Sequence, residues 1–246
     1  MEQMDRTEGL RALIRQGLQA VAHKDTLAHL GDRSSYIGMS DIGQHWECPR
    51  AALARKVLPT TNSLERLLTL QRGHWFESGV GQALASLGLH VLPQLEINWQ
   101  HQGVPIKAHL DFVLVWGAPV NAIRILEVKS TDKLPASPHD SHLLQLHGQI
   151  GLLVKAWNKP VFSLRAEDGT LLHEKMTFPQ LCRAQLGLQL PKQAEKLSIE
   201  AWLLCLSMKD VTTFGPYTFN QAMLDTALDH AAQLWGELAA DRKSVV

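Results

Sequence analysis

The 246-residue chain lacks net charge, paired cysteines, long apolar runs and internal repetition, and each absence removes a class of function. Twenty-four Lys and Arg balance twenty-four Asp and Glu. The molecule therefore projects no overall positive field, which argues against coating nucleic acid in the histone manner. The balance still permits an enzyme that holds nucleic acid in a local cleft, where bound cations supply part of the positive charge. Only three cysteines occur, Cys48, Cys182 and Cys205, far apart and with no CxxC pair. An odd, sparse set argues against a disulfide framework and against a thiolate zinc site. No stretch is apolar enough to span a bilayer, and the first residues interleave charges with apolar positions, unlike a signal peptide. A cytoplasmic location without a membrane partner is the expectation. Like-charge blocks and low-complexity tracts are missing, which sets aside disorder, and no repeat suggests a solenoid. No Walker A loop is present, so the chain shows no helicase motif of that kind.

What is present is a globular composition, 45% hydrophobic and 20% charged. Residues 1–246 are read as one elaborated domain, with a helical part at 1–62, a core at 63–176 and a mostly helical part at 177–246. Ser40 suits the cap of a helix starting at Asp41, and Pro49 suits the first turn of another over Arg50 to Lys56. A loop follows at Pro59 to Asn62. Ser63 then opens a long helical pattern that Gly88 ends in the left-handed conformation. Residues 89–99, 105–116 and 122–130 read as strands joined by turns at 100–103 and 117–121. A helix over 137–158 is entered through Ser137 and Pro138, and 159–167 with 170–178 form a hairpin across Asp168 and Gly169. The apolar run 201–208 fits either a strand or a buried helix. Helix, three strands, helix, strand implies an α/β fold, a mixed central sheet with helices against its faces.

The third strand carries the strongest chemical signal. Its period of two puts Ile123, Ile125, Glu127 and Lys129 on one face, so an acid and a base follow two core residues. Alone, that is as compatible with an ordinary ion pair near a strand end. The second strand adds Asp111 within an apolar run, on a face expected to hold His109, Val113 and Val115 as well. A mid-strand aspartate needs a cation, a basic partner or a metal, because an isolated buried charge costs several kcal/mol. Asp111 and Glu127 lie on neighbouring strands, and two adjacent carboxylates repel unless a divalent cation bridges them. Hard oxygen donors with few histidines favour Mg2+ or Mn2+ over zinc.

Asp111, fifteen residues, then Glu127-Val128-Lys129 resembles the core of the PD-(D/E)xK nucleases, without the usual proline before the aspartate. Two further segments resemble their RecB-like and lambda-exonuclease-like branches. The helix after the lysine offers Gln145 and, where those branches carry tyrosine, Gln149, which the resemblance sets against nucleic acid. The helix before the strands offers Arg72-Gly73-His74-Trp75-Phe76-Glu77, with Glu77 the equivalent acid and His74 its rival. On a helix Glu77 shares a face with Leu70, Gly73, Gly81 and Leu84, which suggests a core-facing carboxylate. Ser40-Asp41-Ile42 leading to Cys48-Pro49-Arg50 is similar to the opening segment of the RecB-like exonucleases, including CRISPR-associated ones. Their iron–sulfur cluster needs four cysteines, so none is expected here, and Cys48 reads as a relic or core residue.

The resemblance implies a restriction-endonuclease-like core with added N- and C-terminal helices, and a metal-dependent DNA nuclease, an exonuclease by analogy, serving repair, recombination or a mobile element, with any coupling to unwinding supplied by another chain such as a helicase or recombination partner. It implies that Glu77, Asp111, Glu127 and the Val128 carbonyl hold one or two Mg2+ (or Mn2+) ions that activate a water. Lys129 would orient that water or offset charge on the phosphorane, with Gln145 bonded to the lysine or a phosphate. A nuclease-like module that binds DNA or protein without cutting is the second reading. A structural ion-pair network of Asp111, Glu127 and Lys129 is the third. Arg50, Arg55 and Lys56 form a basic helical patch suited to phosphate, with a solvated face equally open. His139, His142 and His147 read as surface or capping groups, and Trp75, Trp116, Trp157 and Trp202 as core residues.

Overall fold

A computed structural model describes residues 6–58 and 63–244, so the loop expected at Pro59 to Asn62 lies outside the described residues. In chain order the helices are α1 (Arg6–Asp25), α2 (Met39–Glu47), α3 (Pro49–Val57), α4 (Leu64–Ser86), α5 (Asp140–Ala156), α6 (Phe178–Leu186) and α7 (Gln221–Ser244). The strands are β1 (Ile37–Gly38), β2 (Val91–His101), β3 (Val104–Trp116), β4 (Ala122–Ser130), β5 (Phe162–Arg165), β6 (Leu171–Met176), β7 (Ser198–Leu206) and β8 (Val211–Tyr217). They form one mixed sheet in the order β6-β5-β2-β3-β4-β7-β8, with β1 on β3. This is the α/β architecture that the resemblance implied, a mixed central sheet flanked by helices with further helices at both ends.

Several local expectations need correction. α2 starts at Met39 behind Gly38, not at Asp41 behind Ser40. Asp41 sits three residues into the helix, and its carboxylate reaches back to accept the Gly38 N–H at 2.9 Å. The same carboxylate pairs with Arg33 and Lys56, each at 2.7 Å. The C-terminal part, expected to be mostly helical, supplies β7 and β8, and β7 lies inside the sheet, parallel to β4 from Ala122↔Ser198 to Ser130↔Leu206. A strand covered on both faces reads as a plain apolar run, which is why 201–208 did not declare itself.

One face of the sheet is covered by α5, with α2 and α7 packed on it. Close approach requires small residues there: a Cβ on Gly151 would stand 2.7 Å from a Leu224 methyl, and one on Gly148 would stand 2.7 Å from the Met39 sulfur. The other face is covered by α4, where Gly81 lets Phe112 approach and Val80 and Leu84 pack over Phe112, Leu114 and Val128.

Two irregularities shape the centre of the sheet. The β3–β4 ladder stops at Phe112↔Leu126. Beyond it the start of β3 stays with β2 and gains β1, while the end of β4 stays with β7. The sheet therefore forks between β3 and β4. Facing alternation also breaks at this level. Leu92 and Leu95, three residues apart, are both fully buried in the main core, and opposite them so are Leu110 and Val113. Period two forbids that in an unbroken strand. The break coincides with Gln94, a non-glycine residue at φ +48° that makes no ladder pair between Pro93↔Phe112 and Leu95↔Leu110.

Candidate active site

Asp111 lies at the mouth of the fork. Its Oδ2 accepts the Val128 N–H at 2.7 Å, filling the gap where the ladder has ended. The expected grouping of His109, Asp111, Val113 and Val115 on one face is wrong, because the alternation reverses between Leu110 and Val113. Val113 enters the core, whereas His109 turns to the Glu96 carboxylate at 3.2 Å. In a strand the N–H and C=O of one residue point to the same side. The Val128 carbonyl thus faces Asp111, as a ligand role would require.

Glu127 is 3% exposed, and both of its oxygens are engaged. Oε1 accepts from Lys129 Nζ and from Gln145 Nε2, each at 2.6 Å, and Oε2 accepts from Gln149 Nε2 at 2.7 Å. The Gln145 carbonyl oxygen accepts a second Lys129 hydrogen at 3.1 Å. Gln145 and Gln149 are one helical turn apart, which presents both amides to the same carboxylate. Gln149 was expected to contact nucleic acid. It is instead fully buried, donating to Glu127 and to the His109 carbonyl at 2.8 Å, and its own Oε1 has no partner.

Glu77, on α4, is half-buried and accepts from Gln94 Nε2 at 3.3 Å. The core-facing stripe drawn for it holds only in part, because Leu70 is exposed while Gly81 and Leu84 meet the sheet. His74, the rival ligand, is exposed. Burial, and then the charge of Glu127, raise the Glu77 carboxyl to about 7 against the relief from Lys129. Burial raises Asp111 well above the usual range, reinforced by Glu127 and Glu77 and offset by Lys129 and the Val128 N–H. Burial pulls Lys129 down, but Glu127, Asp111 and Glu77 override it, so the ammonium is held more firmly than usual. A lysine so held stays charged at neutral pH.

Other expected residues lie elsewhere. Arg50 and Arg55 are exposed, with Arg55 bonded to Gln44, but Lys56 is turned inward to Asp41 and the backbone of Arg33 and Tyr36. The basic patch is thus two arginines. Cys48 is exposed, not a core residue. Trp157 is core, Trp202 is half-buried, and Trp75 and Trp116, expected in the core, are 58% and 52% exposed. Trp75 lines an open cleft of about 680 Å³ with Leu68, Arg72, Phe76, Asp132 and Met208. Arg72 connects this cleft to the site, donating to Ser130 Oγ at 2.7 Å, one residue past Lys129. By sequence, Arg72 is only the start of the segment that holds His74 and Glu77, and Gln94 is not singled out. The second was recoverable, because a two-residue turn at Gln102 and Gly103 pairs His101 with Val104 and so sets Gln94 opposite Asp111.

No family model matches this chain, and no curated protein matches it. Among solved structures it is similar to the crystal structure of SSO0001, with 13% identity, TM-score 0.49, and 89% of this chain and 85% of that one covered. It is similar to LHK-Exo in complex with dAMP, with 10% identity, TM-score 0.44, and coverage of 91% and 95%. It is also similar to the alkaline exonuclease LHK-Exo from Laribacter hongkongensis, with 12% identity, TM-score 0.44, and coverage of 87% and 92%. At these identities and scores the likeness carries nothing about activity. No helix among the described residues is long and apolar enough to cross a membrane.

Proposed function

We propose that this chain is a divalent-metal-dependent nuclease that hydrolyses phosphodiester bonds in DNA, acting from an end as an exonuclease in repair, recombination or a mobile element. One observation carries the reading: Asp111, Glu127, Lys129 and Gln145 meet at the fork of the sheet, with Glu77 electrostatically joined to them from α4. The donor chemistry suits Mg2+ or Mn2+. Three carboxylates face one ammonium, a deficit of two positive charges, and the Val128 carbonyl adds a fourth hard oxygen. The cation would rest on Glu77, Asp111, Glu127 and that carbonyl, where it would polarise the scissile phosphate and acidify the attacking water.

The chain's own groups do the rest. Gln145 and Gln149 hold the Glu127 carboxylate in one orientation. Lys129 keeps its proton and places positive charge where the phosphate gathers negative charge, an effect enlarged where water is sparse. Trp75 and Arg72 offer a base-stacking surface and a guanidinium beside the site for the strand being cut.

The second reading, a module that binds DNA or protein without cutting, is favoured by a specific observation. Among the described residues no three His, Cys, Asp or Glu side chains converge as a metal-holding group. Both Glu127 oxygens are also already bonded within the protein. The test is degradation of end-labelled single- and double-stranded DNA in Mg2+ or Mn2+, with Lys129→Ala alongside. Cleavage by the wild type with a loss of at least about 100-fold in the variant is expected. Metal binding without cleavage by the wild type would favour the second reading. Equal cleavage by both proteins would remove the lysine from the chemistry.

A further inference from the structure

Gln94 makes no ladder pair opposite Asp111, and its backbone lies in the left-handed region at φ +48° in the interior of an 11-residue strand. Left-handed backbone in a residue other than Gly, Asn or Asp costs on the order of 1 kcal/mol and persists only where surroundings impose it. Two consequences follow at this position. The facing of β2 reverses, so that Leu92 and Leu95 both enter the core. The Gln94 amide is also delivered to Glu77, donating from Nε2 to Oε2 at 3.3 Å. It links α4 to the hairpin at the level where Asp111 turns into the fork.

We propose that Gln94 is a positioning residue that sets Glu77 against Asp111 and Glu127 for divalent-cation binding, its backbone strain being the means by which its amide reaches Glu77. The proposal rests on the metal-dependent reading of the site. Gln94 is not itself a metal donor; it fixes the carboxylate of one. Hydrogen-bond partners of this kind change metal affinity about 10- to 100-fold when removed.

The test uses Gln94→Asn, with Gln94→Gly as a second variant. Both residues accept positive φ, so the strand conformation is preserved or relaxed. Asparagine keeps the amide but is one methylene too short to reach Glu77. Mn2+ affinity is read by calorimetry, thermal stability is read without metal, and cleavage is read against metal concentration. The expected result is metal-free stability equal to or above wild type in both variants, with Mn2+ bound at least about tenfold more weakly. The metal concentration for half-maximal cleavage rises by the same factor, while the rate at saturating metal changes by less than about threefold. A purely structural irregularity would move the stability and leave the affinity alone. Unchanged affinity in both variants, with a wild type that binds metal and cuts, overturns the role of Gln94 and leaves the nuclease reading standing. A wild type that binds no divalent cation overturns both.

Discussion

Without metal, the Glu77 carboxyl should make the protein lose stability as pH rises. Folding raises it from an ordinary 4.5 to about 7, chiefly by burial and the charge of Glu127. A raised carboxyl means that the folded state holds the proton more tightly. Its contribution is fully present below pH 4.5 and lost as pH climbs through 7. At about 1.4 kcal/mol per pH unit the ceiling is about 3 kcal/mol. Glu77 is only half-buried, and solvent screening reduces that to about 1–2 kcal/mol. At about 2–4 °C per kcal/mol for a chain of this size, the melting temperature should fall by several degrees. Asp111 acts in the same sense. His142 acts in the opposite one: burial, Lys129 and His139 lower it from 6.5 to about 4, so it favours the folded state above 6.5 and loses that contribution as pH falls through 4. Wild-type melting alone therefore mixes the two trends. The decisive quantity is the difference between Glu77→Gln and wild type in chelator, followed from pH 4.5 to 8.5. It should widen by several degrees in favour of the variant, and Mn2+ at pH 8 should stabilise the wild type more than the variant. Parallel curves, with no metal effect, would falsify the coupling of Glu77 to the site.

Two further outcomes follow from the packing and the cleft. Trp75→Ala should weaken binding of single-stranded oligonucleotides by about 1–3 kcal/mol, the usual worth of one stacked base, with folding unchanged because the indole is exposed; fluorescence anisotropy with a labelled oligonucleotide would show this, and unchanged affinity would take the cleft out of the substrate path. Gly151→Ala should destabilise the protein by about 1–3 kcal/mol in a denaturant titration, since the added carbon meets Leu224 at 2.7–3.0 Å; a neutral result would mean that α7 shifts freely on α5.

Much of the site was legible because its information is local. Glu127 and Lys129 stand two apart on a strand, and Gln145 and Gln149 stand four apart on a helix, so spacing alone puts each pair on one face. The sheet gives them a common centre through a parallel β4–β7 pairing and an antiparallel β3–β4 pairing, of which only the second was foreseeable from a short turn. What failed was inference across a break in the period. His109, Asp111, Val113 and Val115 share a face only if β3 alternates without interruption, and nothing in their own residue types announces that Gln94, on the neighbouring strand, marks where the facing turns over. Exposure failed for a related reason. Trp75 sits in an apolar helical pattern, yet α4 buries only part of its length against the sheet, so hydrophobicity there marks an open cleft and not a core.

The role of Gln149 is decided by burial. A polar side chain expected to touch nucleic acid has no exposed surface, so it can act on the site only through Glu127 and the His109 carbonyl. Its unpartnered Oε1 costs about 1–3 kcal/mol, which an apolar residue of similar size would not incur. That cost is consistent with a requirement for the amide donor: the second oxygen of Glu127 otherwise faces the apolar interior unbonded, and an unbonded buried carboxyl oxygen carries a desolvation penalty of its own. Gln145 alone cannot prevent this, because both of its polar ends are already committed, one to Oε1 and the other to Lys129. Two glutamines, one turn apart, are therefore the smallest set of neutral donors on α5 that bonds both oxygens of Glu127 and still leaves Lys129 its second acceptor.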